Sequence, residues 1–153
     1  MTDAIIADRA VPEPQLSASA GYDSAAAGGA IGASRDFTAD FLAAAADVLP
    51  HPVPRDRIDL AKLVVSELVT NAVRHASGPC RLLLELREEL LEISVFDRAT
   101  AAPVPRGHDP RRIGQHGVEI VVAVCESVTV EPEPTGKRVR ARLSLRSDDT
   151  ARA

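Results

Sequence analysis

The chain has 153 residues, a formal net charge of −4 and no tryptophan, which fits one domain with a core of aliphatic side chains. The mildly negative charge argues against a dedicated nucleic-acid-binding protein. The N-terminus carries no basic segment followed by an apolar run, and no stretch of about 20 consecutive apolar residues occurs, so we expect a soluble, cytoplasmic protein without a membrane partner.

Residues 1–33 are rich in Ala, Gly, Ser and Pro, and this composition predicts a flexible leader without a function of its own. From Ser34 to Leu49 apolar residues recur at helical spacing, with Ser34 as the predicted N-cap. Three prolines, at positions 50, 52 and 54, then end this helix and prevent another from starting before Asp56.

The segment from Asp56 to Ser77 is predicted to be one long helix around which the domain is organised. Plotted at 100° per residue, one broad arc is apolar and should face the core; it comprises Ala61, Val65, Leu68, Val69 and Ala72. A neighbouring stripe begins apolar and then becomes Glu67, Asn71 and His75 at i, i+4 and i+8.

This polar stripe has two interpretations. It is either a widening of the solvent-exposed face, which is common, or the floor of a pocket. A pocket floor would place a carboxylate that accepts a proton or orients water beside an amide oxygen that ligates a hard divalent cation. The stripe alone does not separate the two.

Two hairpins are predicted after the long helix. The first pairs residues 80–86 with 90–96, and the second pairs residues 127–131 with 137–145. In the last strand Arg138, Arg140 and Arg142 alternate with apolar residues. They could contact phosphates, but the solvated face of an edge strand is the favoured interpretation. Cys80 and Cys125 each stand alone in an apolar run, which indicates core filling in a reducing compartment.

The segment from Asp97 to Ile113 has three prolines, four arginines and no periodicity. Its length predicts either a lid over a ligand or a disordered surface loop. Gly114 and Gly117 follow and lead into an apolar helix, Val118 to Val124, whose N-terminus would suit a phosphate. Residues 147–153 are predicted to be a loose tail.

Taken together, these features resemble the ATP-binding domain shared by gyrase-type ATPases, Hsp90 chaperones, histidine kinases and mismatch-repair ATPases (the GHKL or Bergerat-fold family). The run SELVTNAVRHA, Ser66 to Ala76, carries most of the resemblance. Within this family, the chain looks most like the small stand-alone bacterial anti-sigma-factor serine kinases. The implied fold is α+β, a two-layer α/β sandwich over residues 34–146, with a mixed, mostly antiparallel sheet and helices on one face.

The resemblance implies roles for the polar stripe. Asn71 would bind the Mg²⁺ that bridges the ATP phosphates. Glu67 would be the general base or the carboxylate that orients water. His75 would lie near the phosphates.

It also implies roles outside the helix. Asp97 would accept a hydrogen bond from the adenine amino group, and Gly114 and Gly117 would belong to the loop that closes over the phosphates.

The sequence departs from the family pattern around the base and the lid. Ala99 stands where a glycine usually follows the aspartate, and Gln115 and His116 stand where the lid usually has adjacent glycines. Near the last strand, Arg138 is expected in the place of a threonine that often helps to hold adenine.

Two functions follow from the resemblance. The first is an ATP- and Mg²⁺-dependent serine/threonine kinase that phosphorylates an anti-sigma antagonist and regulates transcription through a sigma factor. The alternative is a non-catalytic switch module that binds such a partner with weak or no ATP binding. Relatives often form homodimers. A gyrase-like ATPase and a histidine kinase are less expected, because neither a transducer domain nor a phosphoacceptor helix pair flanks the domain.

Overall fold

The computed structural model of the chain describes residues 13–23, 27–75, 79–98 and 113–146. These residues form five strands and three helices. In chain order they are β1 (Leu16–Tyr22), α1 (Ala27–Ala45), α2 (Arg55–His75), β2 (Cys80–Arg87), β3 (Leu90–Asp97), α3 (Ile113–Val124), β4 (Ser127–Glu133) and β5 (Gly136–Ser144). No helix in these ranges is long and apolar enough to cross a membrane.

The strands form one sheet in the order β1-β2-β3-β5-β4. All four pairings between the described strands are antiparallel, where a mixed, mostly antiparallel sheet was expected. The predicted α+β class with two layers is confirmed. Both predicted hairpins form, and the first turns through Glu88, whose φ of 57° lies in the left-handed region.

Alternation along the strands separates an inner face from an outer face of the sheet. On β2, Leu82, Leu84 and Leu86 are fully buried, whereas the residues between them are half-buried, as expected for side chains that point to opposite faces. The three helices cover the inner face: α1 contacts β1 and β2, α2 contacts β2, β3 and β5, and α3 contacts β4. The predicted core arc of α2 is buried throughout.

Helix α2 spans the inner face from one end of the sheet to the other. Near its start, the Arg57 guanidinium donates to the carbonyl oxygen of Ser144, the last residue of β5, at 3.5 Å. After its last residue, His75, only a short connection leads to Cys80, the first residue of β2. The C-terminal half of α2 therefore lies at the end of the sheet where β2 begins and β3 finishes.

Regular structure extends into the predicted leader, so that prediction and its boundary need correction. Strand β1 pairs with β2 along its full length, and α1 begins at Ala27 rather than at Ser34. Ser34 is a buried residue inside the helix whose hydroxyl donates to the carbonyl of Ile31 at 2.8 Å. Strand β1 consists largely of Ser, Ala and Gly, so its hydrophobic alternation is weak in the sequence. The strand is stabilised by its pairing with β2.

The arginines of β5 do not line an edge strand, because β5 lies between β3 and β4. On the outer face four guanidinium groups come within 4 Å of the Glu92 carboxylate, at distances of 3.1–3.9 Å; they belong to Arg87, Arg138, Arg140 and Arg142. The predicted solvated stripe is an ion-pair network.

The isolated cysteines behave as predicted. Cys80 is buried and Cys125 is half-buried, and both are free thiols. Burial raises the pKa of the Cys125 thiol to about 11, so this thiol stays protonated and packs as a small apolar group.

Candidate functional site

The polar stripe of α2 lies at the border of the core. Glu67 and Asn71 are half-buried, one helical turn apart, between the buried Leu68 and Ala72 on one side and the exposed Arg74 on the other. His75 is the last residue of α2, and its side chain lies outside the described part of the structure. The stripe therefore brings a carboxylate and an amide to the same surface, at the strand end that α2 approaches.

Asp97, the predicted acceptor for a base, is the last residue of β3 and lies on the inner face, in phase with the buried Ile93 and Val95. Its side chain is 2% exposed, and its Oδ2 lies 3.4 Å from the Nζ atom of Lys137. Lys137 is its direct cross-strand partner on β5 and has a side chain that is 8% exposed. The buried carboxylate is thus paired with a buried ammonium group.

Lys137 was not among the predicted site residues, whereas Arg138 was expected in the place of a threonine near adenine. Arg138 points to the outer face, where Nε and Nη2 donate to Ser94 Oγ at 3.1 and 2.8 Å and the guanidinium lies over the Phe96 ring at 5.0 Å. The period of two along β5 contains the signal that finds Lys137. The residue lies two positions before Val139, so it shares the inward phase of that strand.

A close backbone contact fixes the position of Lys137 relative to Asp97. A Cβ atom on Gly136 would overlap the Asp97 carbonyl oxygen and lie 2.7 Å from the Cα atom of Arg98. Only glycine allows the turn between β4 and β5 to approach β3 this closely. The ion pair is therefore held by two strands in direct contact at their ends.

This end of the sheet contains a cleft of about 320 Å³, lined by Asp97 and Lys137 together with Cys80 and Thr135 among others, but by neither Glu67 nor Asn71. Burial raises the pKa of the Cys80 thiol, and the negative charge of Asp97 raises it further. The thiol is consequently a neutral part of the cleft wall, and the Asp97–Lys137 pair supplies charge beside it.

Gly114 and Gly117, predicted to form a loop before a helix, lie inside α3, which begins at Ile113. This corrects the predicted start of the helix at Val118. The two glycines weaken the first turns by roughly 1 kcal/mol each relative to alanine, but they do not prevent the helix. Residues 99–112, which make up most of the predicted lid, lie outside the described part of the structure.

The side chains that can act as metal ligands determine which ions this site can bind. Among the described residues no three His, Cys, Asp or Glu side chains cluster as a metal cage. Mg²⁺ does not need one, because it is commonly held by one or two protein oxygens together with substrate phosphates and water. Asn71 and Glu67 offer such oxygens, so a magnesium ion that arrives with phosphates fits this site better than a permanently bound one.

An antiparallel sheet covered by helices on one face, with a polar stripe on the central helix and a buried carboxylate at the nearby strand end, is the architecture of an ATPase-type nucleotide-binding domain. The profile of the histidine kinase-like ATPase domain matches residues 32–143. The chain belongs to this family.

Solved structures show the same fold. The blue-light activated histidine kinase EL346 of Erythrobacter litoralis is similar at 25% identity and a TM-score of 0.51, over 65% of this chain and 34% of that one. The histidine kinase domain from the same protein is similar at 20% identity and a TM-score of 0.50, over 73% of this chain and 61% of that one. This chain thus spans less than two thirds of either. Comparison with curated proteins gave no match.

Proposed function

We propose that this protein binds Mg-ATP and is a regulatory serine/threonine kinase of the anti-sigma type, which phosphorylates an antagonist protein in the cytoplasm. One observation carries the proposal: Glu67 and Asn71 are half-buried together on α2, whose C-terminal half runs toward the strand end where the buried Asp97 finishes β3. Membership of the histidine kinase-like ATPase family supports the proposal. The substrate and partner rest on the resemblance of the α2 motif to the anti-sigma kinases.

Each side chain has a role in phosphoryl transfer. The Asn71 amide oxygen would hold the magnesium ion, which supplies positive charge against the phosphates of ATP. Glu67, one turn away, would accept the proton of the attacking serine or threonine hydroxyl. Asp97 would accept a hydrogen bond from the base and so set the position of the nucleotide. Positioning and charge neutralisation account for most of the catalysis in such a transfer.

A specific observation favours the second candidate, a switch module that binds a sigma factor or antagonist without catalysis. The Asp97 carboxylate already pairs with the Lys137 ammonium group, and a base must share or replace that contact. If the ion pair persists in the presence of ATP, nucleotide affinity is low and the domain acts through its protein partner alone.

Thermal unfolding with and without Mg-ATP tests nucleotide binding. A ligand at about 100 times its dissociation constant stabilises the folded state by about 2.7 kcal/mol, which raises Tm by several degrees in a domain of this size. Asn71→Ala should lose the magnesium-dependent part of this shift. Asp59→Ala is the matched control, because Asp59 is an exposed residue on the same helix. No shift at millimolar Mg-ATP would remove ATP from the function.

Transfer of labelled phosphate to a purified antagonist protein then separates kinase from switch. Glu67→Ala should retain ATP binding and lower the transfer rate by about 10²–10⁴-fold, the usual contribution of a positioned general base. If the unaltered protein binds ATP and the antagonist yet never transfers phosphate, the switch module is the correct function.

A further inference from the structure

We propose that Lys137 is a second base-recognition residue, which donates a hydrogen bond to the ring nitrogen N1 of adenine while Asp97 accepts one from the neighbouring amino group. The inference rests on the proposed binding of ATP and adds to it a specificity-determining side chain. It identifies the basic residue that faces Asp97 as part of the binding site rather than as a structural counter-ion.

The placement of the two groups supports this role. Asp97 and Lys137 are direct partners on adjacent antiparallel strands, so their side chains leave the sheet on the same face. Both line the cleft at the strand ends. Their charged atoms are 3.4 Å apart, which puts one acceptor and one donor side by side.

The chemistry of the adenine edge matches this arrangement. The amino group is a donor and N1 is an acceptor, and both are attached to or adjacent to the same ring carbon. One carboxylate and one ammonium group side by side form the complementary pattern, and both hydrogen bonds would be charge-assisted. Buried charges are costly unless they stay paired and hydrogen-bonded. A base that bonds to both groups while they remain neighbours satisfies this requirement.

The rigidity of the strand ends makes the pair selective. The antiparallel pairing of Asp97 with Lys137 holds β5 against β3 at the strand ends, and the missing Cβ of Gly136 permits this close approach, so Lys137 stays beside Asp97. A base with an acceptor at N1 therefore binds with both contacts. A base with a C–H group at that position leaves the buried ammonium group facing a carbon atom.

Binding of ATP and of 1-deaza-ATP, in which a C–H group replaces N1, to the full chain tests the proposal by calorimetric titration. Hydrogen bonds to charged groups contribute enough that the unaltered protein should prefer ATP by about 10–100-fold. Lys137→Met keeps an unbranched side chain as far as Cε without the ammonium group, and this variant should bind both nucleotides with equal affinity. Lys62→Met is the matched control and should retain the preference, since Lys62 lies on α2 and does not line the cleft.

The outcomes separate this inference from the function on which it rests. If the unaltered protein binds neither nucleotide, ATP binding itself is wrong and the base contact falls with it. If the protein binds ATP and 1-deaza-ATP equally well, ATP binding stands and the Lys137 contact is wrong. The contact is also wrong if Lys137→Met keeps the full preference. The comparison of the two nucleotides on the unaltered protein tests the contact even if the variant does not fold.

Discussion

Strand β3 carries two buried carboxylates five positions apart, and they lie on opposite faces of the sheet. Glu92 faces outward and has four arginine guanidinium groups within 4 Å. Asp97 faces the helices and pairs with the ammonium group of Lys137 at 3.4 Å. Burial opposes ionisation of Glu92, but the charge of Arg140, the hydrogen bond from Arg142 and other neighbours outweigh it and hold the pKa of this carboxyl below its usual value.

The difference shows which carboxylate is available to a ligand. Glu92 already has four charged partners, so a ligand would add no further favourable contact. Glu92 also does not line the cleft at the strand ends. Asp97 lies in the wall of that cleft beside the Lys137 donor, and a buried pair of this kind gains little net stability over apolar packing. We infer that the outer network stabilises the sheet and that the inner pair serves binding. Four measurements test this division.

The largest expected effect is on the contact that holds the inner pair. Gly136→Ala places a methyl group against the Asp97 backbone, and relief of this overlap should cost about 2–4 kcal/mol of unfolding free energy, measured by urea denaturation. Gly32→Ala is the control, because nothing lies within 4 Å of a Cβ at this position in α1; it should stabilise the protein slightly. Equal stability of the two variants would mean that the strand ends separate easily.

The substitution Glu92→Gln should have the next largest effect, and it should change the stability of the fold but not ligand binding. The change leaves the guanidinium groups without their shared counter-charge, and we expect a loss of about 2 kcal/mol, below the range for fully buried pairs because the arginines are partly exposed. Glu85→Gln is the matched control. Glu85 lies directly opposite Glu92 but has only two arginine guanidinium groups within 4 Å, those of Arg87 and Arg138, so the loss of its charge should cost less. A large drop in ATP affinity in Glu92→Gln would contradict the division between the two faces.

Asp97→Asn should show the reverse pattern, with a loss of affinity that exceeds the loss of stability. Asparagine keeps the shape and an acceptor oxygen but not the charge, and charge-assisted hydrogen bonds are about twice as strong as neutral ones. The dissociation constant of Mg-ATP should therefore rise about 10-fold, which corresponds to about 1.4 kcal/mol. Unchanged affinity in a folded variant would remove Asp97 from the site.

The smallest effect is the acid dependence of the outer network. Because the pKa of Glu92 is lower in the folded protein than its ordinary value, its contribution to stability is complete above about pH 4.3, the ordinary glutamate value, and is lost as pH falls through the folded-state pKa. The difference in unfolding free energy between the unaltered protein and Glu92→Gln should shrink as the pH is lowered below this value. A difference that grew in acid would reverse the sign of the shift.

The sequence by itself determined those features that depend on local periodicity. The 3.6-residue period predicted α2, its buried arc and the shared stripe of Glu67 and Asn71, because residues on one helix have fixed relative positions. Alternation and turn residues predicted both hairpins in the same way. The sequence did not predict strand β1, whose hydrophobic alternation is weak, or the helical conformation of Gly114. Both segments gain their stability from neighbours that are distant in the sequence.

Only the tertiary structure decided what lies across the strands. Neighbouring residues of β5 have opposite surroundings: Lys137 faces Asp97 in the cleft, whereas Arg138 joins the outer network with Glu92. The sequence contains the phase of β5 but not its partner or its place inside the sheet, because strand order and register arise from the burial of a whole face against the helices. For the same reason a stripe of arginines that suits an edge strand became a charge network between two strands.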